Sequence, residues 1–399
     1  MVRRSVFPRL GFACALFAFI GGQGCKKLFS KNDNSDTQQA WDAVNNPTNL
    51  LPYNSLLERR FDKLKMAAES DKNKRPWSDS YWPNHRGGLA WRWNATSAGD
   101  FKNHPLPTKD QVLKMSMKQK LELSPAEKYD ILTGSWNFPL LDYERKRNNP
   151  GDEKWRGLCN GWAAASAVFR EPRPVVVKSV EGIDIPFGAS DIKALLAIYM
   201  AQFADGGVRI VGARCNTQAK PGWETTGDTG FPQSLSECQD VNPGSFHLLL
   251  ANHIGEWNKP LVGDLVNGAE VWNYPIFEYK SYILGEQPPT PGKAAPGTIK
   301  ELKIQTDVRF KIEIDPPNLQ NFNETGQQDV GDYRVSYQYT LELNAGGEII
   351  GGEWITALHP DFMWTQPAPA DFKLYFSKLG ELYDASMKSN PLLDLLSLR

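Results

Sequence analysis

Trp155-Arg156-Gly157-Leu158-Cys159-Asn160-Gly161-Trp162-Ala163-Ala164-Ala165-Ser166-Ala167 is the stretch around which this 399-residue chain is read. The small residues after Cys159 favour a helix that begins at the cysteine, runs to Arg170 and stops at Pro172 and Pro174. A thiol at a helix N-terminus meets open backbone N–H groups and the positive end of the dipole, both of which favour the thiolate. The N–H of Cys159 is also a candidate oxyanion donor, with the indole N–H of Trp155 as a second.

The other four cysteines have ordinary readings. Cys14 lies in the apolar run Leu10 to Ile20, which follows Arg3, Arg4 and Arg9 and is too short to cross a bilayer as a stable helix. Gly21-Gly-Gln-Gly-Cys25 resembles a bacterial lipobox, with Gly22 and Gln23 at atypical positions. Residues 1–25 are therefore expected to be an export signal of lipoprotein type, with Cys25 lipidated. That places the chain on the periplasmic or extracellular face of the envelope and gives it membrane association through a lipid anchor. Simple cleavage near Gly24, releasing a soluble protein, is the alternative. An oxidising compartment favours a Cys215–Cys238 disulfide, and closing a loop of that size is worth ~3 kcal/mol in the chain-entropy picture. Cys159 is the thiol left over.

Composition bounds the rest. A chain of this length buries a substantial core. Its formal net charge of -1 comes with no basic stripe that would suit nucleic acid and no acidic tail. Residues 26–50 are polar and read as a flexible tether. Residues 51–150 form an N-terminal helical and Trp-rich segment. Apolar spacing predicts helices over Tyr53 to Ser70 and Thr108 to Leu123, and Ser124-Pro-Ala-Glu127 is a capping box that starts a helix through Leu132. Asp191 is a candidate cap for a helix through Phe203. Strands are expected over Pro174–Val180, Phe246–Ala251, Leu261–Val266, Glu270–Trp272, Phe277–Ile283, Lys303–Ile314, Tyr333–Leu343 and Glu348–Ile355, with Asn344-Ala-Gly-Gly347 as the last turn. Residues 366–399 read as a C-terminal helical segment. Helices first and an antiparallel sheet later give an α+β class.

A thiol needs a base. Of five histidines, His247 is preferred because it falls near the start of an expected strand after a turn. His253 lies at the far end of that strand, and His359 lies in His-Pro-Asp-Phe-Met-Trp364. Asp264, on the next expected strand, is the candidate that orients the imidazole. Asn252 and Asn273 are weaker alternatives. Each has a plain reading too, as a hydrogen-bonded core histidine or a solvated carboxylate.

Ala269-Glu-Val-Trp-Asn-Tyr-Pro-Ile-Phe-Glu-Tyr-Lys280 resembles the Val-Trp-Asn-x-Pro segment of the oomycete transglutaminase elicitors. Leu123-Ser-Pro-Ala-Glu-Lys-Tyr-Asp130, Gly157-Leu-Cys-Asn-Gly-Trp-Ala163, Asn242-Pro-Gly-Ser-Phe-His247, Gly351-Gly-Glu-Trp354 and His359-Pro-Asp-Phe-Met-Trp364 agree with bacterial relatives of that family. The resemblance spans about residues 76–365. It implies a papain-like transglutaminase core over residues 151–365, with Cys159 as nucleophile, His247 as base and Asp264 as third member. Asn160 departs from the histidine more usual after the cysteine.

The implied activity is acyl transfer, in which Cys159 attacks a glutamine carboxamide, releases ammonia and passes the acyl group to an amine. Partners are then glutamine- and lysine-bearing proteins, met by a monomer that requires no cofactor. A calcium or other divalent ion is left open, because no calcium-loop motif is recognisable. A cysteine peptidase or deamidase of the same fold, and a non-catalytic envelope-binding protein, are the alternatives.

Overall fold

The computed structural model describes residues 43–52, 55–213, 240–268, 270–314 and 331–388. The export signal with Cys14 and Cys25, and the proposed Cys215–Cys238 pair, lie outside the described residues.

The helices are α1 (Asp100–Asn103), α2 (Lys109–Lys114), α3 (Met117–Leu121), α4 (Pro125–Leu132), α5 (Pro139–Arg147), α6 (Cys159–Val168), α7 (Ala189–Ile198), α8 (Pro243–Leu249) and α9 (Ser377–Lys388). The strands are β1 (Ala67–Glu69), β2 (Val175–Lys178), β3 (Asp184–Phe187), β4 (Arg209–Gly212), β5 (Leu261–Asp264), β6 (Asn273–Gln287), β7 (Lys300–Lys311), β8 (Asp332–Leu343), β9 (Ile349–Trp354) and β10 (Phe362–Thr365). One antiparallel sheet runs β4-β10-β5-β6-β7-β8-β9, with β1 added alongside β6, and β2–β3 make a separate ribbon. The class is α+β.

Two cores form. The first packs α4, α6 and α7 with Trp77, Trp82, Trp162 and Phe376, and it contains Cys159. The second packs α8 against β6, β7 and β8 through Phe246, Leu249, Ile304, Tyr337 and Tyr339.

Local sequence explains most helix starts. Ser124 and Glu127 exchange the reciprocal bonds of a capping box, with Pro125 in the first turn. Asp191 acts one turn inside its helix: it accepts from Gly188 N, and the helix begins at Ala189. Its other neighbours are Lys128 Nζ at 2.7 Å and Trp93 Nε1 at 2.9 Å, so one buried carboxylate ties α4 and the Trp-rich segment to α7.

Three expectations are corrected. Phe246–Ala251 is helix, not strand: Asn242 caps α8 by accepting from Gly244 N, Pro243 opens the first turn, and a π-helical turn carries the helix on to Glu256. Every residue of α8 is buried, so no polar face marks the helical period in the sequence. Of the expected Tyr53–Ser70 helix, residues 55–70 form no α-helix, because their backbone groups bond to the sheet and its turn: Phe61 N to Gly347 O, Ser70 N to Phe277 O, and Ser281 N to Met66 O. Thr108–Leu123 breaks at Met115 into α2 and α3, each with its own capping box.

Candidate active site

Cys159 is the first residue of α6, and Leu158 before it supplies no side-chain cap. The first N–H groups of the helix thus face outward from the turn that carries the thiol. Two glycines fix this placement. A Cβ at Gly157 would lie 2.3 Å from Tyr81 O, and one at Gly161 would lie 2.0 Å from Ala197 O. The chain entering the helix therefore runs against the Trp-rich segment, where Leu158 N donates to Tyr81 O at 2.6 Å. The helix itself presses on the backbone of α7. Trp162 adds a bond from Nε1 to Trp77 O at 3.2 Å.

The start of β6 meets the thiol from the sheet side. Cys159 Sγ donates to Val271 O at 3.7 Å, and Asn273 Nδ2 donates to Sγ at 3.5 Å. Asn273 cannot turn freely, because its Oδ1 accepts from Trp364 Nε1 at 2.8 Å. Asn273 is also the register partner of Asp264, which in turn pairs with Phe362. Partners in adjacent antiparallel strands project to the same face. The buried Asp264 and the asparagine that touches the thiol therefore share one face of the sheet. Tyr81 and Trp272 meet edge to face at 5.2 Å, joining the segments on either side of Cys159 into an aromatic wall.

The electrostatics oppose a resting thiolate. Burial pushes the Cys159 thiol above its ordinary range. The Asn273 side chain and backbone N–H act the other way, and the negative charges of Asp264 and Glu313 add to the rise.

None of the five histidines hydrogen-bonds Cys159, and all five lie among the described residues. His247 is placed in the second core, with Nδ1 2.8 Å from Tyr339 Oη and its ring near Phe61. Burial alone pushes it down to about 4. The expected Cys159–His247 contact is therefore not made. The expectation failed because His247 rides on a helix, not on the strand that would have carried it toward Asp264. His253 is buried on the same helical stretch and pushed down to about 3, chiefly by burial. His359 pairs with Asp240 at 2.8 Å and stacks on Trp354.

Asn252 bridges Glu58 and Leu248 and serves the packing. Trp155 is partly buried beside the first core, with the Arg156 guanidinium 5.6 Å from its ring centre. Asn273, ranked below Asp264 in the sequence, is the residue in contact with sulfur. Glu313 had no sequence signal, because its link to Cys159 runs across strands. Among the described residues no group of three or more His, Cys, Asp or Glu is placed to hold a metal ion, and no helix is long and apolar enough to cross a membrane.

The model of the transglutaminase elicitor family matches residues 145–383, more than half of the chain. The crystal structure of the GP42 transglutaminase from Phytophthora sojae superposes with a TM-score of 0.61 at 21% identity, covering 84% of this chain and 95% of that one. That likeness shows a shared fold. No curated protein matches. A cysteine opening a buried helix, held from the sheet by an asparagine whose strand partner is an aspartate, sits inside the matched residues, and the chain belongs to the transglutaminase elicitor family.

Proposed function

We propose that this protein is a cysteine-dependent acyltransferase acting on protein glutamine. The observation that carries the reading is the Asn273 bridge: one amide contacts Cys159 Sγ, is locked by Trp364, and lies in register with Asp264. Sulfur forms a bond to the carboxamide carbon, and the thiol proton passes to Asp264. The tetrahedral oxyanion takes hydrogen bonds from the open N–H groups at the start of α6, with the Trp155 indole as a further candidate donor. The C–N bond then breaks, the proton on Asp264 goes to the departing nitrogen, and ammonia leaves a thioester on Cys159. An amine attacks the thioester, the C–S bond breaks, and the thiol is restored. Water in place of the amine gives deamidation by the same route.

In this reading Asp264 is the proton acceptor because its charge is the stronger of the two carboxylate charges felt at the sulfur, although neither it nor any imidazole hydrogen-bonds the resting thiol. The buried thiol suits this scheme. It rests as the neutral thiol, and proton transfer accompanies its attack on an electrophile. Export, lipidation at Cys25 and protein substrates bearing glutamine and lysine belong to the same proposal.

The test is incorporation of a fluorescent primary amine into a lysine-blocked, glutamine-bearing protein. Wild-type protein is expected to label it and Cys159→Ala to abolish labelling. Labelling that survives the substitution contradicts the reading.

The non-catalytic alternative draws on the raised thiol pKa. It predicts that iodoacetamide fails to modify Cys159 selectively at neutral pH.

A further inference from the structure

β6 and β7 pair with Ile276 opposite Phe310. The ladder between the two strands ends at that pair; carried three residues further, the same register would set Glu313 level with Asn273, on the side opposite Asp264. Past the end of β7, Ile312 N bonds Gly331 O and Ile314 N bonds Asp79 O, at 2.8 Å each. Tyr274, next to Asn273, packs its ring 5.1 Å from Phe310. The charge of Glu313 reaches both Cys159 and Tyr274. Two carboxylates thus flank the asparagine that touches the thiol, one on β5 and one just past the end of β7.

They are not equivalent. Asp264 is buried, and its position on β5 sets it deep in the sheet. Glu313 is only half-buried. Yet its Oε2 is shut off from solvent with no hydrogen-bond partner among the described residues. A carboxylate oxygen held dry without a donor is costly to maintain, so it suits a donor that arrives with a ligand. Burial also raises the Glu313 carboxyl above its ordinary range, toward the pH at which a general base is efficient.

We infer that Glu313 is the general base for the second half-reaction, binding the ammonium of the acceptor and taking its proton. This rests on the acyltransfer reading above. The step balances. One N–H proton moves from the ammonium to the Glu313 carboxylate, and the free amine attacks the thioester carbon. The C–N bond forms as the C–S bond breaks, and the second nitrogen proton goes to sulfur. Glu313 then returns its proton to solvent. Two carboxylates divide the work, Asp264 serving the thiol and Glu313 the incoming amine.

The experiment compares two acceptors on lysine-blocked casein. Dansylcadaverine is cationic at neutral pH and hydroxylamine is not. For Glu313→Gln the expected result is a fall of about 100-fold in dansylcadaverine transfer, the ordinary contribution of a general base. Hydroxylamine transfer should fall far less, so that the ratio of the two acceptors shifts by at least about tenfold. The acceptor ratio is the readout that a merely structural role would not move. If Glu313→Gln leaves the ratio at its wild-type value, Glu313 is not the base, while active wild-type protein leaves the Cys159 chemistry standing. Wild-type protein that releases no ammonia from the substrate overturns both readings together.

Discussion

The Cys159 site and the His247 pocket are both buried and both hold a titratable group, but they are built for opposite ends. Around Cys159 two groups bond the sulfur itself: Asn273 donates to it and Val271 O accepts from it, while the charges of Asp264 and Glu313 act on it electrostatically. Around His247 the polar groups point at one another. Its Nδ1 meets Tyr339 Oη, and that hydroxyl is 2.6 Å from Thr306 Oγ1, which is 2.7 Å from Ser281 Oγ. This chain of hydroxyls stitches α8 to β6, β7 and β8. Such a network specifies packing, although the other ring nitrogen of His247, Nε2, is buried with no hydrogen-bond partner among the described residues. A conspicuous histidine is thus not by itself a base; what counts is whether its partners leave it aimed at the reacting atom.

The largest expected effect is at the nucleophile. Cys159→Ala should lower amine incorporation by at least about a thousandfold while leaving the melting temperature near wild type, since loss of a covalent nucleophile removes the pathway. A melting curve beside the labelling assay checks both halves.

Asn273→Ala comes next. Removing a preorganised donor at such a site costs about 100-fold in turnover, and iodoacetamide modification of Cys159 should change in parallel. Unchanged turnover would reduce the Asn273 contact to packing.

Gly161→Ala tests the seat of the helix. The new Cβ would fall 2.0 Å from Ala197 O, so α6 and α7 must part. Overpacking of this kind costs about 1–3 kcal/mol, read as a lower denaturation midpoint.

The smallest effect on activity belongs to the other region. His247→Gln should keep activity per folded molecule within about twofold. Its signature is in stability against pH. Burial depresses His247 from its ordinary 6.5 to about 4 in the folded chain. The unfolded chain therefore binds the extra proton first. The stabilisation is present above pH 6.5 and is lost as pH falls from there toward 4. The substitution should flatten that part of the curve, by a few kcal/mol at most.

The sequence carried the fold class and the helix that Cys159 opens for identifiable reasons. The alanine run makes α6 legible, the Ser124 to Glu127 capping box marks α4, and the long run rich in β-branched and aromatic residues before the Asn344-Ala-Gly-Gly347 turn marks the β8–β9 hairpin. What failed depended on contacts across the chain. The Phe246–Ala251 run has strand-like apolar continuity, but total burial within a helix produces the same run. Tyr53–Ser70 has helical spacing, but the sheet claims its backbone hydrogen bonds. The site was half legible. The sequence offers Asp264 only as the partner of an imidazole, whereas the structure sets it beside Asn273, with which only strand register unites it. Glu313 joins them across a third strand and leaves no trace in local spacing.

The most direct test is amine incorporation by Asp264→Asn and His247→Gln side by side, with equal folded concentrations. The expected result is a loss of about 100-fold for Asp264→Asn, a general base's share, and near wild-type rates for His247→Gln. A folded His247→Gln protein that has lost activity, beside an active Asp264→Asn protein, would contradict it.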